Sequence, residues 1–305
     1  MSKVLVRVLL FMRRFGLLLT VGGRFLGVPK LFWFCASKIK LTIPVSDFDG
    51  SFYVSLRLSE HMQRRIFWLG YYNLQMVPYI RSKLGPGMVF LDIGANIGEI
   101  SMVAAKCVGD KGCVIAFEPI SSISDILELN ITRNNLSQVV VERSGISNVV
   151  SSGIPIYKSC GQEQFEEEND GLGTIVCTES NRVPVEYIST TTIDYYIEAH
   201  EFKRIDLIKI DVEGAELQCL MGASNTLHRF KPDLIVEVQD STANAAGYEA
   251  RDILEYLAQF GYNFYRFERN GKTLPIDPAS LGSVQNVLCI AAPNEREGAI
   301  KKLKD

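Results

Sequence analysis

Histidine is scarce in this 305-residue chain, with three copies, and tryptophan scarcer, with two. The seven cysteines, Cys35, Cys107, Cys113, Cys160, Cys177, Cys219 and Cys289, have no C-x-x-C spacing. That excludes the common zinc frameworks and leaves thiols that read as small core residues in a reducing compartment. The formal charge is −3, the isoelectric point is near 5.8, and no Lys/Arg cluster lies downstream, so the footprint of a nucleic-acid binder is missing. Charges interrupt every apolar run short of the roughly 20 residues a bilayer span needs. Arg13-Arg14 also splits the one candidate secretory segment. Internal repeats and low-complexity tracts are absent. What remains is 47% hydrophobic, enough for one sizeable enzyme-type domain plus an extension. The expectation is a cytoplasmic protein, at most peripheral to a membrane, with no nucleic-acid partner; nothing indicates its oligomeric state.

Residues 1–40 carry eight Lys/Arg and no Asp or Glu amid Leu, Val and Phe. Drawn as a helix, Lys3, Arg7 and Arg14 form one stripe, with Val4, Val8, Phe11 and Phe15 elsewhere, a pattern that suits a membrane interface. Three readings stand: a helix packed on the catalytic domain or a second subunit, a membrane-surface helix, or a targeting segment. Residues 1–64 are assigned to a basic, apolar extension with helical segments, 65–295 to the main domain, and 296–305 to a charged tail.

The segment Asp92-Ile93-Gly94-Ala95-Asn96-Ile97-Gly98 lies between a strand-like run from Met88 and a helix-like run from Ile100. A strand turning sharply into a helix places backbone close to a ligand, and Gly94 and Gly98 supply positive φ. The dinucleotide fingerprint asks for glycine at its first, third and sixth positions, but the third here is Asn96 and the sixth is Glu99. Asp92 would repel a pyrophosphate and attract a sulfonium or ammonium. The turn is therefore expected to bind S-adenosylmethionine rather than NAD. Twenty residues beyond Gly98, Glu118-Pro119 closes a second apolar run, where a carboxylate can accept both ribose hydroxyls.

From Gly85 onward short apolar strands alternate with amphipathic helices, the signature of a parallel sheet. Strands are expected near 88–93, 112–118, 138–143, 205–211, 233–238, 262–267 and 286–292. Helices are expected near 97–108, 121–134, 192–200, 215–228 and 248–260. The predicted fold class is α/β, a Rossmann-like sheet of seven strands with helices on both faces. A small β-rich insertion interrupts the alternation at about 151–190, and its run Glu166 to Asp170 reads as a solvated loop or an acidic lid.

A second motif, Ile208-Lys209-Ile210-Asp211-Val212-Glu213-Gly214-Ala215-Glu216, ends a strand and opens a helix at the carboxyl edge of the sheet, where open α/β sheets bind ligands. Together with Asp92 to Gly98, Glu118-Pro119, Pro232 to Glu237, Phe67 to Tyr72, Leu129-Asn130, Asn134 and Asn286-Val287-Leu288, it closely resembles the FkbM family of S-adenosylmethionine-dependent methyltransferases. The resemblance covers roughly residues 65–292. It implies the seven-stranded methyltransferase sheet with its last strand antiparallel, and transfer usually to oxygen of a saccharide or natural-product hydroxyl. It also implies Asp92, Gly94, Asn96 and Gly98, with the intervening Ala95, around the methionine part. Glu118, followed by Pro119, falls on the ribose, Ser144 near the adenine, and Asp211 beside the methyl group. Many relatives carry Glu where this chain has Asn73.

Aligning an acceptor oxygen, a methyl carbon and a sulfur requires positioning, and a hydroxyl acceptor benefits from a general base. His200 and His228 fall at predicted helix ends, and nothing requires His61. Asp211 is therefore expected as base or acceptor orienter, with Glu213, Glu216 and Glu237 as alternatives and Lys209 stabilising a carboxylate or developing alkoxide. In the opposing reading, Glu213 and Glu216 are a charge arrangement at a helix N-terminus paired with Lys209. No metal is expected, since the acids lack a telling second pair. The other activities weighed are an NAD-dependent oxidoreductase on the same architecture and a non-catalytic cofactor-binding scaffold.

Overall fold

The computed structural model describes residues 3–18, 20–21, 24–25, 41–158, 173–176, 183–268, 271–278, 281 and 286–292. The chain opens with helix α1 (Lys3–Leu18), the two-residue strands β1 (Thr20–Val21) and β2 (Arg24–Phe25), and the hairpin β3 (Thr42–Phe48) and β4 (Phe52–Arg57). Helices α2 (His61–Leu69) and α3 (Val77–Lys83) lead into β5 (Val89–Ile93), α4 (Glu99–Val108), β6 (Cys113–Phe117), α5 (Ser121–Arg133) and β7 (Val139–Glu142). Strands β8 (Gly145–Ile146), β9 (Ser151–Lys158), β10 (Gly173–Thr174) and β11 (Glu186–Thr191) come next. The remainder comprises α6 (Ile193–Ala199), β12 (Leu207–Ile210), α7 (Glu216–Met221), α8 (Ser224–Phe230), β13 (Asp233–Glu237), α9 (Asp240–Ala245), α10 (Ala250–Ala258), β14 (Tyr262–Phe267), β15 (Thr273–Pro275) and β16 (Asn286–Ala291).

The main sheet has eight strands in the order β15-β14-β16-β13-β12-β5-β6-β7. Strands β13, β12, β5, β6 and β7 run parallel, whereas β16 lies antiparallel between β13 and β14. All seven expected strands are present and the last is antiparallel; the eighth, β15, is a short edge strand. Strand order reverses beside β5, between β12 and β6, so a crevice opens at their carboxyl ends.

Side chains alternate between the two faces of each strand. Val89, Leu91 and Ile93 of β5 pack with Ile208, Ile210, Leu234 and Val236 under α6, α7, α8 and α10. Phe90, Leu207, Ile235 and Leu288 face the opposite layer, formed by α2, α3, α4, α5 and the β3–β4 hairpin. The same parity puts Asp92, Lys209 and Glu237 on that second face. The expected helix at 215–228 is broken into α7 and α8 at Gly222, where a Cβ would stand 2.2 Å from the Ser147 carbonyl oxygen.

The N-terminal segment is more integrated than an extension. Ile43, Val45, Phe48, Val54 and Leu56 of the hairpin are buried in the common core, and the expected boundary at 64/65 falls inside α2. Asp49 and Gly50 take positive φ at the hairpin turn, an Asp-Gly signal legible in the sequence. The expected β-rich insertion is a four-stranded sheet, β10-β9-β11-β8. The acidic run Glu166 to Asp170 and the tail at 296–305 lie outside the described residues.

Candidate active site

A cleft of about 280 Å³ occupies the crevice, at the small end of the range for small-molecule sites. The β5–α4 turn forms its floor. Its backbone donors are used within the protein: Gly94 and Ala95 N–H donate to the Phe117 carbonyl at 3.0 Å, Asn96 N–H to Glu118 Oε2 at 3.0 Å, Ile97 N–H to Asn96 Oδ1 at 2.8 Å, and Gly98 N–H to the Ala95 carbonyl at 2.9 Å. The end of β6 with Glu118 takes three of these five amides, and Asn96 Oδ1 and the Ala95 carbonyl within the turn take the other two. A pyrophosphate would find none of these five turn amides free. Gly94 has φ +75, and a Cβ on it would lie 1.9 Å from the Asp211 carbonyl oxygen, so the turn and the β12–α7 loop touch backbone to backbone.

Glu118 lines the cleft with both oxygens engaged, Oε1 accepting from Ile120 N–H and Oε2 from Asn96 N–H, each at 3.0 Å. A carboxylate has about four lone-pair sites, so two remain for a diol. Burial raises its pKa to about 7, against the lowering effect of those two amides. Gly94, Ala95, Asn96, Pro119 and Ser144 line the cleft as well. Asp92 and Gly98 do not. Asp92 is fully buried beneath the turn, where it accepts from Ser101 Oγ at 2.6 Å, and Gly98 packs against Leu127. Asp92 therefore supports the turn from below instead of touching a ligand.

Lys209 and Asp92 are directly paired across β12 and β5. The Lys209 ammonium donates to the Gly94 carbonyl at 2.8 Å and lies 3.3 Å from Asp211 Oδ2 and 3.5 Å from Asp92 Oδ1. Burial alone would lower its pKa; Asp211 and Asp92 outweigh that and raise it. One of its donors is taken by the Gly94 carbonyl, and its charge is shared between the two flanking carboxylates. Lys209 ties the two loops together.

Among the candidate acids, Asp211, Glu213 and Glu237 line the cleft and Glu216 does not. Glu216 Oε1 accepts from Val212 and Gly214 N–H at 3.1 Å, and Oε2 accepts from Tyr248 Oη at 3.1 Å, so it shapes the Val212–Gly214 loop from behind. It opens α7 as an N-terminal acid. Glu213 holds the left-handed conformation at φ 53, a strain that proteins retain at functional loops. Burial, then Asp211, Glu213 and Glu216, push the Glu237 pKa well above the ordinary carboxylate range. One oxygen each of Asp211, Glu213 and Glu237 lie within 4.8 Å of one another, close enough to share a cation.

The sequence assigned no role to Glu99 or Arg65, and both line the cleft beside Tyr72 and Asn73. Glu99, noted only as the wrong residue for a dinucleotide fingerprint, accepts from Tyr72 N–H at 2.6 Å and Asn73 N–H at 3.1 Å. Burial raises its pKa to about 7 against those bonds. The Asn73 amide also reaches Glu99 at 3.3 Å, so the Glu found there in relatives would set a second carboxylate against it. Burial and then Asp211 raise the Tyr72 pKa to about 12, and the Arg65 guanidinium lies 5.1 Å from its ring centroid. None of the three histidines lines the cleft. His200 stacks on Tyr196 with Nδ1 2.9 Å from the Tyr196 carbonyl, as expected of a capping residue.

The methyltransferase FkbM domain model matches residues 92–264, more than half the chain. The chain belongs to the FkbM methyltransferase family. It is similar to the hexuronic acid methyltransferase AglP of Haloferax volcanii, 29% identical over 174 residues that cover 56% of this chain and 62% of that protein. It also resembles the AMB antimetabolite synthetase AmbE of Pseudomonas aeruginosa, 27% identical over 206 residues, 59% of this chain and 10% of AmbE. The chain thus spans less than two thirds of either relative. Of solved structures, an FkbM methyltransferase from Methylobacillus flagellatus matches at 16% identity and TM-score 0.42, over 74% of this chain and 54% of that one. An O-methyltransferase from Bacillus cereus in complex with SAH matches at 17% identity and TM-score 0.42, over 72% and 79%.

FkbM membership displaces the oxidoreductase alternative and agrees with S-adenosylmethionine as the cofactor. The residues present fit that molecule. Glu60, Glu99, Glu118, Asp211, Glu213 and Glu237 line the cleft against Arg65 and Lys209, an acidic surplus that suits a ligand bearing a sulfonium and an ammonium, with the charge of Glu99, Glu118 and Glu237 reduced by the burial that raises their pKa.

Proposed function

We propose that this chain transfers the methyl group of S-adenosylmethionine to a hydroxyl of a saccharide or natural-product acceptor. The observation that carries this reading is the cleft in which spent turn amides and surplus carboxylates disfavour a pyrophosphate and suit a cationic adenosyl ligand. Glu118 would hold the ribose hydroxyls, Gly94 to Asn96 the methionine part, and Ser144 the adenine side. The cofactor supplies an electrophilic methyl group when bound.

Asp211 is the residue assigned to receive or orient the acceptor hydroxyl. It projects from the end of β12 into the cleft with the Lys209 ammonium 3.3 Å behind it. Glu237 lies in the same acidic cluster, and burial with Asp211, Glu213 and Glu216 beside it raises its pKa, which disfavours its charged form. Arg65, whose Nε has no hydrogen-bond partner, supplies a cation on the acceptor side against Tyr72. That suits an acceptor with an anionic or electron-rich group, and AglP, by its name, acts on a hexuronic acid.

The test is methyl transfer from labelled S-adenosylmethionine onto neutral saccharides, uronic-acid saccharides and hydroxylated natural products, with wild type beside Asp211→Asn. Product methylated on oxygen, lost in Asp211→Asn with S-adenosylhomocysteine affinity retained, is expected. Methylation on nitrogen or carbon, or full turnover by Asp211→Asn, would overturn the reading.

A further inference from the structure

Helix α1 has two opposite faces with different fates. On the inner face Leu9 and Arg13 are buried, while Leu5, Val6, Leu10 and Met12 pack partly against the common core. Arg13 fixes the rotation of the helix. Its Nε donates to Asp47 Oδ1 at 2.9 Å, and its Nη1 donates to the carbonyls of Phe67 and of Ile66, which also accepts from Gly70 N–H, in the last turn of α2. The guanidinium also lies 5.4 Å from the centroid of the Phe67 ring.

With that rotation set, Val4, Val8 and Phe11 point outward, 65%, 46% and 71% exposed. At 100° per residue they share one arc of about 120° with the exposed Arg7 and Arg14, the arginines on its edge. Three apolar side chains on a helix anchored through its other face form a surface that water does not favour. The helix itself carries charge of one sign, with Lys3, Arg7, Arg13 and Arg14 and no acid. An apolar stripe edged by arginine complements a lipid surface with anionic headgroups. The helix has 16 residues, about 24 Å, short of the roughly 30 Å hydrocarbon core. No described helix is long and apolar enough to cross a membrane.

The geometry points to α1 as an interfacial helix that docks the protein on an anionic bilayer through Val4, Val8, Phe11, Arg7 and Arg14. This inference is independent of the methyltransferase reading. Its consequence for the cleft comes through α2, which grips Arg13 with Ile66 and Phe67 and gives Met62 and Arg65 to the cleft wall. The cleft thus stands one helix away from the lipid surface.

Co-sedimentation of the full chain with phosphatidylcholine vesicles, and with vesicles also containing phosphatidylglycerol, tests the inference. Binding to the anionic vesicles, weakened by salt and much lower on the neutral ones, is expected. Arg7→Gln with Arg14→Gln should weaken the anionic partition roughly thirtyfold. Val8→Ser with Phe11→Ser should weaken partition to both vesicle types, and because these side chains are exposed, the melting midpoint should stay unchanged. No sedimentation of the wild type with anionic vesicles, or undiminished sedimentation of both variants, would overturn it. So would a concentration-dependent dimer in analytical ultracentrifugation that Phe11→Ser abolishes, which would give this face to a second copy.

Discussion

Two loops close the cleft, and they are built in opposite ways. The β5–α4 turn spends its amides on the end of β6 and on Glu118, so it is held by short local bonds and presents backbone. The β12–α7 loop is held from behind by Glu216, Tyr248 and Thr174, and turns Asp211 and Glu213 toward the cleft. One is a fixed seat and the other a mount for side chains. Sequence position alone does not tell these uses of a strand-to-helix junction apart; what separates them is which groups are already engaged by the protein.

The sharpest way to break this comparison is to force the loops apart. Gly94→Ala would place a methyl 1.9 Å from the Asp211 carbonyl oxygen at φ +75, and should cost about 4 kcal/mol or prevent folding. Gly247→Ala, at φ +88 with open space around it, should cost about 1 to 2 kcal/mol. Thermal denaturation of the pair decides the matter, and equal midpoints would refute the contact between the loops.

Next in size is a contrast within the second loop. Asp211→Asn should lower turnover by about 10² to 10⁴-fold while S-adenosylhomocysteine affinity stays within about threefold. Glu216→Gln keeps an acceptor for the loop amides and should lower stability by about 1 to 2 kcal/mol, with a smaller loss of rate. Calorimetric titration beside single-turnover rates separates the two. A turnover loss in Glu216→Gln as large as in Asp211→Asn would place Glu216 in the chemistry.

The seat has its own pH signature. Glu99 and Glu118, with ordinary values near 4.5, are raised to about 7 by burial, so between those values the folded protein binds more protons than the unfolded chain. Stability is therefore greatest below about 4.5 as far as these groups are concerned and declines as pH rises toward 7, by up to about 3 kcal/mol for each. Ligand affinity should run the other way. The ionised Glu118 accepts from a diol, so S-adenosylhomocysteine should bind more tightly as pH rises through 7, and Glu118→Gln should flatten that dependence. A slope unchanged in the variant would remove Glu118 from the ribose. The smallest effect expected is from Arg65→Leu, a several-fold rise in acceptor KM with cofactor affinity unaltered.

Much of this was legible in the sequence because parallel strands buried on both faces leave continuous apolar runs. All seven expected strands sit within about two residues of their places, and the turn at Gly94 and Glu118 lie where spacing set them. Other features depend on parity and register. Asp92 looked like a ligand contact, but it falls on the face of Phe90 and pairs with Lys209 across the sheet, which only the pairing of β5 with β12 reveals. Glu216 looked equivalent to Glu213, but a left-handed residue at 213 swings the two carboxylates to opposite sides of the loop. Glu99 carried the wrong signal altogether, since its partners Tyr72 and Asn73 lie 26 or more residues away. The hairpin at 42–57 was hidden by the basic, apolar composition of its surroundings, although Asp49-Gly50 marked its turn.

The central claim is that the cleft is a seat for S-adenosylmethionine and not for a dinucleotide. Thermal melts with S-adenosylhomocysteine and NAD in parallel test it most directly. A ligand at one hundred times its dissociation constant adds about 2.7 kcal/mol, enough to move the midpoint by several degrees. The account predicts that shift with S-adenosylhomocysteine, its loss in Glu118→Ala and no shift with NAD; a shift with NAD alone, or none with S-adenosylhomocysteine, would contradict it.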